Sequence, residues 1–496
     1  MLTIDEIREM IIADQGSEKK NQARKGAAYY DGDHDIKDYR LFYYNADGNL
    51  VEDKSRSNVK IPHPFFTELV DQATQYILSG DEIIKAKDPA LQKKLDQYFN
   101  CNEDFLSELA DTITDCQAKG CAYMYAYKGE DDRTRFQCAD SVGVVEVRAK
   151  DTEDNADHVI WWYTDRIDKG HKTIKRIQVW DAEQTYYYVQ SGDGEIESDA
   201  DEKINPRPHI LYQENEDGNV YYNGYGFIPF FRFDNNRKQA SSLKTVKELI
   251  DDYDLMASSL SNNLIDFDTP IHVVKGFEGD NLDELQQNLK TKKMIGMEST
   301  DPGAGVDIKT VDVPYQARQA KLELDEKNIY RFGMGLNTAG LKDTNATTNI
   351  AIKATYSLLD LKCKKLEIKL KQFLRKIIKV VLTEINENDG TDYQMSDVKI
   401  EFEHEVMSNE QENAQIELTE AQQHQIEINT IMSLANTLDD ETVIRMICDV
   451  LDIDYEEIKD KLPAQEEADT KNAQKVIDGV VINDEQTTEG SAAGTA

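Results

Sequence analysis

Three glycines, Gly333, Gly335 and Gly340, punctuate the stretch GMGLNTAGLKDTNATTNIAIK, which runs from Gly333 to Lys353. Glycines spaced this way ahead of a helix can cradle a phosphate on backbone N–H groups. Gly335 and Gly340 keep the separation of a GxxxxGK[ST] loop, but Leu341 stands where its lysine must be. The dinucleotide pattern GxGxxG fails at Thr338, and a charged helical run leads in where a buried strand is required. The stretch does not fit a nucleotide cradle. Two acidic clusters could hold a cation: Asp31, Asp33, His34 and Asp35, and then Asp251, Asp252 and Asp254. The first lacks the glycine and distal glutamate of a calcium loop. The second lies on a helix whose geometry sends those positions to different sides, so both read as solvated surface or subunit salt bridges. No GxSxG elbow, CxxC pair or HxxxH pair occurs. The expectation is a protein that is not an enzyme, with no cofactor and no metal.

Composition narrows the partners. Asp and Glu number 95 against 57 Lys and Arg, a formal net charge of −38. A simple nucleic-acid binder is basic, because it replaces the counterions of the phosphates it touches. This chain either avoids DNA or handles it without sticking. Cys101, Cys116, Cys121, Cys138, Cys363 and Cys448 read as reduced, mostly buried thiols. The acidic, amphipathic start is unlike a signal peptide, and no apolar run approaches the ~20 residues that span a bilayer, so a soluble protein is expected. At 496 residues, length suggests about three domains.

The elements that must position any site follow from periodicity. IPHPFFTELVDQATQYILSG puts Phe66, Leu69, Val70, Ala73 and Ile77 on one helical face, and a second helix covers Glu103–Lys119. From Cys121 to Phe233, period-two runs between Gly/Asp turns predict a mainly antiparallel sheet. Ser241–Phe267 reads as a helix about 40 Å long, with a heptad stripe through Leu243, Val246, Ile250, Tyr253, Ala257, Leu260, Leu264 and Phe267. A small α/β insertion follows: strands at TPIHVVKG, MIGM and VDIKTVDV, and a helix at NLDELQQNLKTKK. Pro314 opens a helix charged on most faces, which needs neighbours or many ion pairs. Packing between copies in a ring meets that need.

Ile350–Ile385 is the longest helical stretch, with a stripe through Ala354, Leu358 and Leu361 that resumes at Leu366, Leu370, Phe373, Ile377 and Val381. The step of five predicts a bend or a change of packing partner. Nine basic residues, from Lys353 to Lys379, make it the one clearly basic element. They either pair with an acidic neighbour or in part face DNA. DVKIEFEHEV reads as a strand, the following residues as helices to about Leu462, and the tail from Pro463 as disordered.

The order of these elements resembles the portal proteins of tailed double-stranded-DNA phages, specifically those of long-tailed phages of Gram-positive hosts. YYDGDHDI (Tyr29–Ile36), IPHPFFTELVDQATQYILSG (Ile61–Gly80), FIPFFRFDNNRK (Phe227–Lys238), LIDDYDLMASSLSNNLIDF (Leu249–Phe267), YRFGMGLN (Tyr330–Asn337) and IAIKATYSLLDLKC (Ile350–Cys363) carry the likeness. It implies an α+β portal fold with wing, stem, clip, crown and a long tunnel helix, forming a ring, usually a dodecamer, at one capsid vertex. By element, 1–240 would be the wing, 241–267 a stem helix, 268–313 the clip and 314–338 the second stem helix. Residues 339–349 would be the tunnel loop, 350–407 the long helix and the return strand of the wing, 408–465 the crown and 466–496 an acidic tail. The implied partners are DNA passing non-specifically, the terminase large subunit, head-completion or adaptor proteins, and the major capsid and scaffolding proteins, with no membrane. The implied location is the virion, and the host cytoplasm during assembly. An intracellular scaffold that forms no ring is the alternative.

On that resemblance, excess carboxylate holds the duplex off the tunnel wall while a few lysines make weak, salt-sensitive contacts. The loop residues are Leu341, Lys342, Asp343, Thr344, Asn345, Ala346, Thr347, Thr348 and Asn349, and the DNA-facing candidates are Lys342 and Lys353.

Overall fold

The computed structural model describes residues 2–45, 47–54, 56–80, 82–129, 133–148, 156–192, 194–213, 220–267, 271–275, 305–309, 314–337, 349–404, 410–433 and 440–450. The chain forms two compact units, Met1–Met407 and Ser408–Ala496.

In the first unit, α1 (Ile4–Gln15) and α2 (Glu18–Tyr30) lead to a hairpin of β1 (Phe42–Tyr44) and β2 (Leu50–Glu52). Helix α3 (Phe65–Ile77) buries Phe66, Leu69, Val70, Ala73 and Ile77, the face that periodicity indicated. Strand β3 (Ile84–Ala86) and helices α4 (Pro89–Tyr98) and α5 (Glu103–Lys119) follow, and Gly120, at φ 95°, turns α5 into the strands. Those are β4 (Cys121–Lys128), β5 (Thr134–Ala139), β6 (Val144–Val147), β7 (His158–Ile167), β8 (Lys172–Trp180) and β9 (Gln184–Ser191). Next come β10 (Ile196–Ser198), β11 (Arg207–Pro208), β12 (Ile210–Gln213), β13 (Val220–Asn223) and β14 (Phe230–Asp234). All pair antiparallel, in the orders β14-β4-β5, β10-β9-β8-β7-β6 with β11 beside β9, and β12-β13.

Alternation layers these sheets. One face of β14-β4-β5 puts Met124, Phe136, Phe231 and Phe233 into the main core with α5 and the long helix. The other face packs Tyr123 and Phe230 against Trp161 and Trp180 of the larger sheet. The far side of that sheet is covered by Ile7 and Ile11 of α1.

Helix α6 (Lys247–Phe267) starts later than expected, because Ser242–Thr245 forms a 3-10 turn whose cap is Ser241. Strands β15 (Ile271–Lys275) and β16 (Gly305–Lys309) pair antiparallel. The helix and the MIGM strand expected between them lie outside the described residues. Helix α7 (Tyr315–Gly333) begins directly after Pro314 and packs on α6. The long helix α8 (Asn349–Asp389) is unbroken over 41 residues. Strand β17 (Val398–Ile400) returns beside β3 and is shorter than expected. In the second unit, α9 (Glu410–Ser433) and α10 (Asp440–Val450) pack together, while the last expected helix and the tail lie outside the described residues.

The stripe expected on α8 is half right. Leu366, Leu370, Phe373, Ile377 and Val381 are buried, but the stripe continues towards the N-terminus through Cys363 and Leu359, in step with a regular helix. Leu358 and Leu361 point outward, with Leu361 61% exposed. The phase break therefore marks a second apolar face, not an interruption of the helix. Among the described residues, no helix is long and apolar enough to cross a membrane.

Phe373, whose ring centre lies 5.3 Å from that of Phe233, joins the long helix to the sheet. Phe373→Ala should cost about 3–5 kcal/mol in urea denaturation. Leu361→Ala should change the stability of an isolated subunit by no more than about 0.5 kcal/mol.

Candidate functional site

The surface to be explained is the α6–α7 pair and the two ends of the 338–348 segment. The stripe of α6 divides along its length. Leu243, Val246 and Ile250 are buried with Tyr29, Phe66, Leu69, Val70, Ile329 and Tyr330. Tyr253 and Leu260 are half-buried, and Leu264 is exposed. The first half of the expected stripe is thus core, and the second half leaves the body behind.

Another face of α6 is strapped. The N–H groups of Ser57, Val59, Ile61 and His63 donate in turn to Asp266 Oδ1 (3.1 Å), Asn262 Oδ1 (2.6 Å), Ser258 Oγ (3.0 Å) and Asp254 Oδ1 (2.9 Å). Four residues of helix advance ~6.0 Å and two of extended chain ~6.6 Å, so alternate N–H groups meet every fourth helical side chain. The strap ends on a fully buried carboxylate. Asp254 Oδ2 lies 2.6 Å from His34 Nδ1, and its Oδ1 lies 2.8 Å from His63 Nδ1. The His34 ring stacks on Tyr29 at 4.5 Å. Burial alone would raise the Asp254 carboxyl, but the His34 and His63 hydrogen bonds hold it below its ordinary range.

This corrects the reading of the two acidic clusters as solvated surface or subunit salt bridges. They meet: His34 pairs with Asp254, and Lys247 bridges Asp35 (2.8 Å) and Asp251 (2.5 Å). Asp252 does bind on the surface, to Lys321 of α7 at 2.5 Å. Lys321 also pairs with the buried Asp325. Among the described residues, no group of three or more His, Cys, Asp or Glu could hold a metal ion.

Of the glycines that opened the phosphate question, Gly333 and Gly335 serve packing, and Gly340 lies outside the described residues. A Cβ on Gly333 would stand 2.5 Å from a Leu69 methyl, and one on Gly335 would stand 2.2 Å from the other. Between them Met334 takes a left-handed φ of 54° and ends α7. Gln72 then clasps Leu336 at both its N–H (2.8 Å) and its carbonyl (2.9 Å). The far end returns to the same helix. Lys362 Nζ donates to the Leu69 carbonyl at 2.9 Å, and Tyr76 donates to Asp360 at 3.3 Å. Helix α3 therefore anchors both flanks of residues 338–348. Of the expected loop residues, Leu341–Thr348, Lys342 included, lie outside the described residues. Asn349 begins α8, and Lys353 is exposed on its second turn.

Ion pairing within the chain accounts for little of α8's basic character. Lys364 pairs with Asp360, Lys371 lies over the Phe402 ring, and Lys362 is turned inward. Among the described residues, no ion pair reaches Lys353, Lys365, Lys369, Arg375, Lys376 or Lys379. Sequence reasoning missed Ser258, Asn262, Asp266 and His63. Their signal was present, as hydrogen-bonding side chains at every fourth position of α6.

Asp254→Ala should cost about 3–5 kcal/mol, because it removes one partner of a buried pair. An Asp with a depressed folded pKa stabilises above its unfolded value, near ~3.9, and that share is lost as pH falls further. In an acid titration the gap between the wild type and this variant should therefore narrow progressively as pH falls below about 4. Burial pushes Lys362 down from 10.5 to about 8. The unfolded chain thus holds more protons between those two values, and stability attributable to Lys362 rises with pH across that window. Lys362→Met should be more stable than wild type at pH 7 by up to about 3 kcal/mol, with the difference vanishing by about pH 10.5 in thermal melts.

Comparison with known proteins agrees with this element order. The profile of a family described as "Phage portal protein, SPP1 Gp6-like" matches residues 10–471. The chain is similar to the portal protein of Bacillus phage SPP1, at 28% identity over 353 residues, covering 71% of this chain and 67% of that protein. It is also similar to the portal protein of Clostridium phage phiCD119, at 25% identity over 434 residues, covering 84% and 89%.

Proposed function

The chain belongs to the SPP1 Gp6-like phage portal proteins and serves in viral DNA packaging, and from that premise we propose that it assembles into a ring, a dodecamer, whose central tunnel passes the genome at one capsid vertex. The observation that carries the ring is the apolar surface left uncovered by one copy of the chain. Leu264, Ile265, Leu324 and Phe332 are each more than half exposed along the α6–α7 pair, and Leu361 and Ile368 are on α8. Monomers rarely expose so much in neighbouring elements, and a head-to-tail contact that closes on itself makes a ring. A helix with as few buried side chains as α7, where they are Asp325, Ile329 and Tyr330, gains its cover in the same way.

In this reading α6 and α7 are the stem and the region of β15 and β16 is the clip, which meets the terminase large subunit and later the head-completion proteins. Residues 1–240 with α8 and β17 form the wing, and α9 and α10 belong to the crown, facing the capsid interior with its scaffolding and capsid proteins. Residues 339–349 form the narrowest collar, held at both ends by α3. The role is mechanical: a net charge of −38 keeps phosphates from settling on the wall, while Lys342 and Lys353 touch them weakly.

Negative-stain images and native mass of the purified chain test the ring directly. Rings with a central hole are expected, and a monomer at every concentration overturns the reading. In rings that form normally, Lys342→Glu with Lys353→Glu should alter DNA packaging. Packaging equal to wild type removes these lysines from the tunnel contact.

A further inference from the structure

Strand β14 ends its sheet, with β4 on one side and, among the described residues, no strand on the other. Ala126 N–H donates to the Pro229 carbonyl, and Asn235 N–H to that of Gly120. Antiparallel alternation then turns the backbone groups of Phe231 and Phe233 towards β4, and those of Arg232 and Asp234 outward. This open edge borders a groove of about 990 Å³, lined by Lys369, Lys376 and Lys379 of α8 and by Phe227, with Glu146, Asp157 and Asp234 among its other lining residues. Unpaired edges of this kind are usually covered.

Elsewhere in the same unit stands its counterpart. The β1–β2 hairpin pairs with no other strand among the described residues, and Phe42, Tyr44 and Leu50 are 55%, 73% and 59% exposed. A lone two-stranded hairpin is marginal in water. Every charge between Phe42 and Asp53 is negative, at Asp47, Glu52 and Asp53, with Glu52 lying 3.6 Å from Arg40 of the same chain. Asn45 N–H bonds to the Asn49 carbonyl and Asp53 N–H to that of Leu41, so Phe42 and Tyr44 on one side, and Leu50 and Glu52 on the other, turn their backbone groups away from the hairpin, with no strand against them among the described residues. The hairpin does not line its own chain's groove.

We propose that the β1–β2 hairpin of one subunit adds as strands to the open β14 edge of a second copy, with its carboxylates against Lys376 and Lys379. Backbone pairing supplies the attachment, the aromatic side chains cover Phe227, and opposite charges set the orientation. The proposal rests on the ring reading and assigns it one specific joint.

The test uses the full chain. Hydrogen exchange is compared between rings and subunits dissociated by salt, alongside Asp47→Lys with Glu52→Lys, Lys376→Glu with Lys379→Glu, and all four changes together. Exchange at 230–234 and at 42–52 should slow together by at least about tenfold on ring formation. Each reversed pair should dissociate at lower salt than wild type, while the four-fold variant recovers. Normal rings with unchanged exchange at either segment, or no recovery in the four-fold variant, overturn the hairpin joint but leave the ring. Protection of 230–234 without 42–52 assigns the groove to a different occupant and also overturns it. Absence of wild-type rings removes the ring reading itself.

Discussion

Leu69 is where the chain's two least similar tasks meet. Its side chain fills the space that Gly333 and Gly335 leave by having no Cβ, and its carbonyl takes the proton-bearing end of Lys362. Both flanks of residues 338–348 are therefore referred to one buried turn of α3, and α3 in turn lies between the root of α6 and the long helix. These flanks must be fixed, because motion in them would spread into the core. Here the fixity comes from close backbone approach, a buried amine and the two-point grip of Gln72 on Leu336. The amine is the costly member: it has been driven to about 8 by burial, and among the described residues no carboxylate pairs with it.

The charge excess has a definite layout. Inside the first unit, carboxylates serve as hydrogen-bond acceptors for backbone and imidazole, as Asp254 and Asp266 do, or as partners of single lysines, as Asp35 and Asp251 do for Lys247. Basic side chains on α8 are largely left out of that economy. A strongly acidic chain with lysines on one helix face that are unpaired among the described residues is suited, on the proposed function, to contacts between copies and to weak contacts with a passing polyanion. Both uses depend on salt, since exposed charges are screened within about 10 Å at 0.1 M.

Much of the fold was legible in sequence because local patterning and local packing agree. The face of α3, the boundaries of α5 and the antiparallel run from Cys121 to Phe233 follow from periods of 3.6 and 2 read against a single core. The family was legible too, since the order of elements survives where single motifs do not. Where two faces of one helix are apolar, patterning loses its discrimination. Leu358 and Leu361 fall at helical spacing as readily as Leu359 and Cys363, and only the position of the neighbouring elements decides which pair is buried.

By itself, then, the sequence determined the element types, the absence of a nucleotide motif, the acidic balance and the family. Tertiary structure alone decided that His34 and Asp254, 220 residues apart, share a buried bond, and that residues 57–63 run along α6. It also decided that Gly333 and Gly335, which raise the question of a phosphate, are there to admit Leu69. The physical reason is common to all three. A polar or small residue looks the same in sequence whether it faces water or a partner, and its role is set by whatever the rest of the chain brings within about 3–4 Å of it.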